Sequence, residues 1–453
     1  MRIAYLCSDF GVPIHGSKGA SIHVREFSRA LAALGNDVAI FTCRAGGDAP
    51  SGFDLPVHEI GLEPTETLIY DLLREDARGG VEIAREVRST LYATGLRHRA
   101  EPLLRRFQPD LIYERYALFG TAGMDLARDL GVPLILEVNA PLSEEQAAHR
   151  GLAFAQTARA VERAVLRAAD RVIAVSEPLR AWIVGGGVDP SRVLTLPNGV
   201  DVDRFAAGAG RRDEIRAALG LNATQPVVGF VGTLKAWHGT ETLLRAVATL
   251  HRRGSGERSG PHLLIVGDGT ERVALESLAR SEGIAAVTTF TGAVRHDQMP
   301  GYLAAIDVAV APYNQEPNFY FSPLKLFEYM AAGRPIVAAA IGQIAVCMRH
   351  GETGLLYPPG RVDTLASAIA DLLTNPALAA ALGRAAQADS RRHHTWLSSA
   401  ATVADLARVA LGWRSPAVQA TTSVGSAPRA SADLLDVRIN FPFVRQASLG
   451  EAR

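Results

Sequence analysis

Short runs of β-branched and apolar residues alternate with longer segments of helical periodicity along most of this 453-residue chain. Such alternation is typical of parallel sheets whose strands are joined by crossover helices. The predicted strands are 2–7, 37–42, 110–113, 133–138, 171–175 and 193–196 in the first half, and 227–232, 262–266, 287–291, 308–311, 335–339 and 354–357 in the second. Because one hydrophobic core rarely organises so long a chain, the pattern predicts an α/β protein with two Rossmann-like domains.

The domain boundaries are placed where the strand–helix pattern restarts. We expect residues 1–196 to form the first domain and 197–396 the second, with a chain crossing at 197–205. A strongly periodic helix at 397–412 is expected to pack back on the first domain. Residues 413–453 begin with a stretch rich in Ala, Ser, Thr and Pro that lacks periodicity, so they are predicted to be a disordered tail.

Composition excludes several classes of protein. Lys and Arg together number 47, as do Asp and Glu, so no bulk charge draws the chain to nucleic acid. No apolar run approaches the ~18–20 residues of a membrane span, and the N-terminus is predicted to be a strand rather than a signal peptide. Cys7, Cys43 and Cys347 lie far apart without metal-ligand spacing, which is typical of reduced thiols in a cytoplasmic protein.

The segment 320–338, YFSPLKLFEYMAAGRPIVA, carries an electrostatic conflict. Ser322 and Pro323 predict the start of a helix, with the serine as cap and the proline in the first helical position. Lys325 then falls in the first turn, where the helix dipole is positive and a cation typically costs ~0.3–1 kcal/mol. An anion bound at that helix end would remove the conflict.

Two interpretations of this helix remain open. Glu328 shares a face with Lys325, and a helix N-terminus, a lysine and a carboxylate together suit a phosphorylated sugar nucleotide. Alternatively, Lys325 and Glu328 form a surface ion pair on an otherwise buried helix.

Glycine-rich turns follow the first strand of each predicted domain. In the first, Gly16 and Gly19 allow a backbone to approach a phosphate closely, and Lys18 adds positive charge. His23, early in the following helix, is either a packed histidine or a catalytic one. The second turn, 232–239, carries the polar residues Thr233, Lys235 and His238.

Seven motifs occur in a fixed order along the chain. They are GSKGASIHV (16–24), PNGVDVDRF (197–205), FVGTLKAWHG (230–239), VGDGTER (266–272), FTGAV (290–294), SPLKLFEYMAAGRPIVA (322–338) and GETGLLYPPG (351–360). In series they resemble the retaining glycosyltransferases of family 4, which have the GT-B fold, and the resemblance covers residues 1–411. It implies transfer of a sugar from a nucleoside-diphosphate sugar to an acceptor hydroxyl, with retained anomeric configuration and without a metal or other cofactor.

The resemblance also implies roles for single residues. Glu328 would bind the donor ribose, and Val294 would contact the base through its backbone. Lys325, with the Leu324 backbone, would meet the diphosphate. The loop that contains Gly16, Lys18 and Gly19 would approach the same phosphates, and Ser322 is included in the substrate site.

Two departures from the family pattern affect the donor side. The family often has two glutamates separated by seven residues, the first facing the donor sugar; with Glu328 as the second, the first position holds Tyr320 in this chain. It also often has Arg and Lys where this chain has Thr233 and His238, which leaves Lys235 as the nearby cation. Lys325, Glu328, Lys235 and Arg115 are the predicted catalytic residues.

On the acceptor side, predicted strands end at Arg115 and at Glu137, which Asn139 follows. These residues either bind the acceptor or form a structural ion pair between Arg115 and Glu137. The Asp201-Val202-Asp203 segment could bind a divalent metal, but a turn cap at Asp201 is the favoured interpretation.

The expected partners are the nucleotide-sugar donor and a sugar, lipid-linked or small-molecule acceptor. Six arginines within 85–106 either meet anionic lipid at the inner face of the membrane or form a solvated helix face; they are Arg85, Arg88, Arg97, Arg99, Arg105 and Arg106. A sugar-nucleotide 2-epimerase and a non-catalytic sugar-nucleotide-binding subunit remain as alternative functions.

Overall fold

The computed structural model of the chain describes residues 1–76, 80–253, 260–316 and 319–412. The predicted disordered tail, 413–453, lies outside the described residues.

The first sheet has seven strands, and every neighbouring pair is parallel. Its strands are β1 (Arg2–Cys7), β2 (Asp37–Thr42), β3 (Val57–Glu59), β4 (Leu111–Arg115), β5 (Leu134–Val138), β6 (Arg171–Ala174) and β7 (Val193–Thr195). Their order across the sheet is β3-β2-β1-β4-β5-β6-β7, so the direction of winding reverses between β1 and β4. Sequence reasoning missed β3, because three partly exposed residues give no strand signal.

The second sheet has six strands, again parallel throughout. They are β8 (Val227–Val231), β9 (His262–Val266), β10 (Thr288–Phe290), β11 (Val308–Ala311), β12 (Ile336–Ala339) and β13 (Leu355–Tyr357). The order β10-β9-β8-β11-β12-β13 reverses between β8 and β11. The predicted strands match the observed ones to within one or two residues at each end.

Helices connect the strands of both sheets. They are α1 (Gly19–Ala33), α2 (Pro64–Glu75), α3 (Gly80–Phe107), α4 (Ala122–Leu130), α5 (Leu142–His149), α6 (Ala155–Ala168), α7 (Glu177–Gly185), α8 (Val202–Ala207), α9 (Arg212–Ala218), α10 (Thr240–Arg253), α11 (Arg272–Ser281), α12 (Met299–Ala305), α13 (Leu324–Ala331), α14 (Gly342–Cys347), α15 (Val362–Thr374), α16 (Pro376–His393) and α17 (Trp396–Ala410).

Each sheet has its own apolar core, and we call the sheets with their helices the first and second lobes. The core of the second lobe surrounds β8–β13, whereas the first sheet carries a cluster on each face. The last helix, α17, follows the second lobe in sequence but packs on α1 of the first, where Trp396 joins Phe27 in the buried cluster. Two doubly wound sheets with such a crossing helix form the GT-B arrangement that the sequence predicted.

No single helix in the described ranges combines the length and apolarity needed to cross a membrane; the bent pair α15–α16, with 101° between its members, meets the criteria only jointly. All three cysteines are buried and unpaired.

Candidate active site

The carboxyl ends of the strands at the two winding reversals carry most of the predicted site residues. Ligands of open α/β sheets bind at such reversals, because neighbouring loops there turn in opposite directions and leave a crevice. In the first lobe the loop 8–18 follows β1 and Arg115 ends β4. In the second lobe the loop from Gly232 follows β8, and the segment leading to α13 follows β11.

The start of α13 differs from the prediction. The helix begins at Leu324, with Pro323 as its N-cap, and the described residues supply no side-chain cap for it. Ser322, predicted to be the cap, instead accepts a hydrogen bond at Oγ from the Asn198 backbone N–H (2.9 Å). The serine therefore ties α13 to the chain crossing, and the helix N-terminus is left open.

Lys325 is buried, with 8% of its surface exposed. Nζ is a buried atom without a hydrogen-bond partner in the described part of the chain, so the interpretation of Lys325 and Glu328 as a surface ion pair is wrong. The ammonium lies over the Phe230 ring, 4.1 Å from its centroid, and 5.1 Å from the centroid of Tyr313. The aromatic faces offer a cation only part of the stabilisation that water would give.

Burial lowers the pKa of Lys325 to about 7, although the Glu328 carboxylate opposes this shift. Gly232, at the end of β8, makes the close approach possible: a Cβ at this position would lie 2.7 Å from Nζ. The backbone there has a φ of 141°, a conformation that favours glycine.

Glu328 is paired with a histidine that sequence reasoning missed. Its Oε1 lies 3.0 Å from Nε2 of His296, and both side chains are largely buried. His296 follows β10 by six residues, so its separation from α13 in sequence hides the contact. Val294 lies in the same segment and packs partly buried against the core of the second lobe.

The glycine-rich loop of the first lobe reaches the start of α13. A Cβ on Gly19 would lie 3.4 Å from Cδ1 of Leu324, at van der Waals contact, so the start of α1 lies against the start of α13. Arg25, another residue missed from the sequence, donates from Nη1 to the Gly16 carbonyl (2.7 Å) and so fixes the loop. Lys18 is exposed beside it.

The loop after β8 brings His238 near Lys325. Burial lowers the pKa of His238 to about 2, and the Lys325 charge adds to the effect. Its Nδ1 contacts the Thr233 carbonyl oxygen, which identifies Nδ1 as the protonated nitrogen of a neutral ring. Lys235 lies near the Trp237 ring, 6.0 Å from its centroid, and is partly exposed. His238 is therefore a neutral residue where the family often has a cation.

Glu137 is the centre of a buried network in the first lobe. Arg115, its neighbour on β4, donates to Oε1 (3.0 Å), as does the Asn139 amide (2.6 Å). Tyr113 donates its hydroxyl to Oε2 (2.5 Å), and Nε2 of His23 lies 2.8 Å from the same oxygen. Burial alone would raise the pKa of Glu137, but these partners lower it to about 2. The proposed ion pair of Arg115 and Glu137 is thus present, as part of a larger network.

His23 connects this network to the second lobe. Its Nδ1 lies 2.7 Å from Oδ1 of Asn198, whose Nδ2 donates to the Ser322 carbonyl (2.6 Å). The ring is buried and meets Trp396 edge-on. His23 is a packed residue that links the Glu137 network, through Asn198, to the segment before α13, and any catalytic part for it stays a prediction.

Tyr320 also joins the lobes. Its carbonyl accepts from Ser176 Oγ (2.6 Å), and its hydroxyl donates to Oε2 of Glu145 on α5 (2.7 Å). Glu145 was missed because nothing in the sequence connects α5 with position 320.

Two further expectations concern charged residues away from the facing strand ends of the two lobes. Asp201 is the N-cap of α8 and accepts from the Arg204 backbone N–H, while Asp203 pairs with Arg391. The residues described contain no group of three or more His, Cys, Asp or Glu side chains placed to hold a metal ion.

The arginines of α3 face mostly acidic side chains. Ion pairs join Arg85 to Glu82, Arg97 to Asp129, Arg99 to Glu66 and Arg105 to Glu101. Arg88 instead stacks on the rings of Phe10 and Tyr70. This arrangement favours the solvated helix face, and membrane contact stays a prediction.

Comparisons with known proteins agree with this geometry. Residues 17–204 match the model of the family Glycosyltransferase Family 4, and residues 225–375 match that of Glycosyl transferases group 1. D-inositol 3-phosphate glycosyltransferase 2 of Catenulispora acidiphila is 33% identical over 403 residues, which cover 86% of this chain and 89% of the relative. A D-inositol 3-phosphate glycosyltransferase of Rhodococcus opacus is 32% identical, with coverage of 83% and 81%.

Two solved structures share the fold. HepE of Anabaena in complex with UDP superposes with a TM-score of 0.68 at 20% identity, covering 90% of this chain and 99% of its own. Sucrose-phosphate synthase of Thermosynechococcus elongatus gives 0.69 at 24% identity, with the same coverage. The chain therefore belongs to the retaining glycosyltransferases of family 4, enzymes of the GT-B fold that transfer a sugar from a nucleotide sugar to an acceptor hydroxyl.

Proposed function

We propose that the diphosphate of the donor binds at the open N-terminus of α13, against the ammonium of Lys325. The observation that carries this proposal is the buried Nζ, which lacks a partner among the residues described. An unpaired buried charge is costly, and an anion at this position would offset the cost and complete the ammonium's interactions. The backbone N–H groups of Leu324 and Lys325 add the positive end of the helix dipole.

The same arrangement suits the departure of the leaving group. When the bond between the anomeric carbon and the diphosphate oxygen breaks, negative charge develops on the diphosphate. A fixed positive group at such a position contributes about 2.7–4 kcal/mol to transition-state stabilisation in other enzymes. In the proposed front-face reaction the acceptor oxygen forms its bond to the anomeric carbon on the face from which the diphosphate leaves, and the acceptor's proton passes to that diphosphate.

The other donor contacts follow from the second lobe. Glu328 would accept hydrogen bonds from the ribose hydroxyls at the oxygen that does not meet His296. Val294 would contact the base, and Lys235 would place a second cation near the phosphates, in the loop that also contains Thr233. The turn 16–19 would cover the phosphates from the first lobe.

The proposed acceptor site is the edge formed by Arg115, Glu137 and Asn139. Because Arg115 is committed to Glu137, we propose that it positions the carboxylate rather than binds the acceptor by itself. The acceptor to try first is D-inositol 3-phosphate, which the names of the two relatives specify. UDP-glucose is the first donor to try, because HepE binds it.

We further propose that the reaction needs no divalent metal. Asp201 and Asp203 are engaged in a helix cap and an ion pair, so the Asp-x-Asp segment has no free carboxylate pair to offer. Turnover should therefore be unchanged in excess EDTA, and restoration by Mg²⁺ or Mn²⁺ of activity lost to EDTA would contradict the proposal. We also propose a cytoplasmic enzyme that can contact the inner face of the membrane peripherally, and an absence of co-sedimentation with anionic vesicles would contradict the membrane contact.

The central experiment is a thermal-shift screen with UDP, GDP, ADP and their glucose esters, followed by turnover assays with D-inositol 3-phosphate. We expect one nucleotide series to raise the melting temperature, and Lys325→Ala to lower turnover at least about tenfold. A wild-type protein that none of these nucleotides stabilises, or a Lys325→Ala variant with unchanged kinetics, would contradict the proposed donor site.

A further inference from the structure

A carboxylate from the first lobe reaches the segment that leads into α13. Oε2 of Glu145 accepts a hydrogen bond from the Tyr320 hydroxyl at 2.7 Å. Oε1 lies 3.4 Å from Nη2 of Arg150, which is itself mostly exposed. The backbone of Tyr320 also contacts the first lobe, because Ser176 Oγ donates to its carbonyl oxygen at 2.6 Å. Two independent hydrogen bonds thus fix the tyrosine against the first lobe.

The pair lies between the two halves of the proposed site. Glu145 belongs to α5, which begins four residues after β5 ends, at the edge that also carries Glu137. Tyr320 precedes the first residue of α13 by four positions. The hydrogen bond between them therefore joins the element that follows β5 to the segment that leads into α13.

Aromatic rings around Tyr320 define one side of this region. Phe321 packs against Tyr320 with ring centroids 4.4 Å apart and stacks with Trp237 at 6.5 Å and an interplanar angle of 8°. Trp237 in turn approaches His149, at the end of α5, with a centroid separation of 6.2 Å. Rings beside a carboxylate suit a sugar, which presents apolar C–H faces together with hydroxyl groups.

We propose that Glu145 is the carboxylate that binds a hydroxyl group of the donor sugar, and that Tyr320 is its positioning residue. The proposal rests on the proposed function, because it takes the diphosphate to lie at α13. An ionised carboxylate has about four acceptor positions. Tyr320 occupies one of them, so both oxygens keep capacity for a sugar hydroxyl.

The hydrogen bond also explains how an aromatic residue can stand at position 320, eight positions before Glu328. A tyrosine at 320 cannot accept strongly from a sugar, but it can donate to a carboxylate that comes from the other lobe. The Glu145 carboxylate then reaches the sugar site only when the two lobes are in contact. Recognition of the donor sugar in this enzyme would thus depend on closure of the two lobes around the donor.

The experiment separates binding of the nucleotide from binding of the sugar. Kd is measured calorimetrically for the nucleoside diphosphate selected in the screen with UDP, GDP and ADP, and for its glucose ester. The variants are Glu145→Gln, Tyr320→Phe and their combination. Glu144→Gln is the matched control, because the exposed side chain of this neighbour on α5 accepts a hydrogen bond from Nε1 of Trp182.

We expect Glu145→Gln to weaken binding of the glucose ester about tenfold or more, while the Kd of the diphosphate alone changes less than about twofold. Tyr320→Phe should give a smaller loss, also confined to the glucose ester, and the double variant should be no worse than Glu145→Gln. Glu144→Gln should match the wild type in both titrations.

Two results would overturn the proposal. Equal weakening of both ligands would identify the pair as a simple contact between the lobes, and unchanged binding of the glucose ester would remove Glu145 from the sugar site. A wild-type protein that binds none of the three diphosphates would instead refute the proposed donor site itself.

Discussion

Because the ammonium group of Lys325 is buried, we expect its replacement by an uncharged residue to increase the free energy of unfolding strongly. An unfolded lysine has a pKa near 10.5, whereas burial lowers that of Lys325 to about 7 in the folded protein. At pH 7 the unfolded state therefore holds a full proton at this site and the folded state about half. Because the unfolded state binds more protons, folding loses stability as the pH falls from 10.5 towards 7.

The size of this loss follows from the two pKa values. Each pH unit between them corresponds to 1.36 kcal/mol, so the cost at pH 7 is about 4 kcal/mol and at pH 9 about 2 kcal/mol. Lys325→Met keeps much of the volume and removes the charge. We expect the variant to exceed the wild type in free energy of unfolding by up to those amounts.

The assay is denaturant unfolding of ligand-free protein at pH 7, 8 and 9. The difference between variant and wild type should shrink as the pH rises, and Lys235→Met, which changes a partly exposed lysine in the same lobe, should show no such trend. A difference that is small at pH 7, or that does not depend on pH, would refute the assignment of a depressed pKa to this lysine.

The same pKa makes donor binding a proton-linked event. Near pH 8 about nine-tenths of the free protein would carry a neutral Lys325, and binding of the diphosphate would restore the charge. Calorimetric titration of the sugar nucleotide in buffers of different ionisation heat should show uptake of about 0.9 proton near pH 8 and about 0.1 near pH 6. An uptake that is equal at both pH values would contradict the contact between Lys325 and the diphosphate.

Three further changes test other parts of the site and its support. Glu328→Ala should weaken nucleotide binding about tenfold in calorimetric titrations, because a charge-assisted hydrogen bond to the ribose is lost, and unchanged affinity would remove Glu328 from the donor site. Glu114 is 1% exposed, and burial raises its pKa to about 8, although the Gly123 backbone opposes this shift. The protonated carboxyl group favours the folded state; this contribution is complete below pH 4.5 and is lost as the pH rises towards 8. Glu114→Gln should therefore stabilise folding by up to about 3 kcal/mol at pH 7 and by little near pH 4. Equal effects at both pH values would refute this. Arg115→Met should destabilise folding by about 3–5 kcal/mol in denaturant titrations, because it leaves the Glu137 carboxylate buried without its cation, and a neutral result would show that the rest of the network suffices.

The sequence was sufficient for the fold because its signals are local. Strand and helix patterns repeat in two series, and each of the twelve predicted strands begins within one residue of the observed strand, as β12 does at Ile336. The order of the motifs along the chain indicated the family, which the relatives show. The position of Lys325 in the first turn of a helix also followed from its neighbours in sequence.

The side-chain environment of the site was decided by tertiary structure alone. The pairing of Glu328 with His296, the network around Glu137 and the hydrogen bond from Tyr320 to Glu145, 175 residues earlier, join positions that no local pattern relates. Ser322 bonds to the chain crossing rather than to its own helix because the second lobe brings Asn198 within reach. Periodicity determines which residues share a face, whereas burial, and with it the pKa of Lys325, depends on which elements the folded chain places over that face.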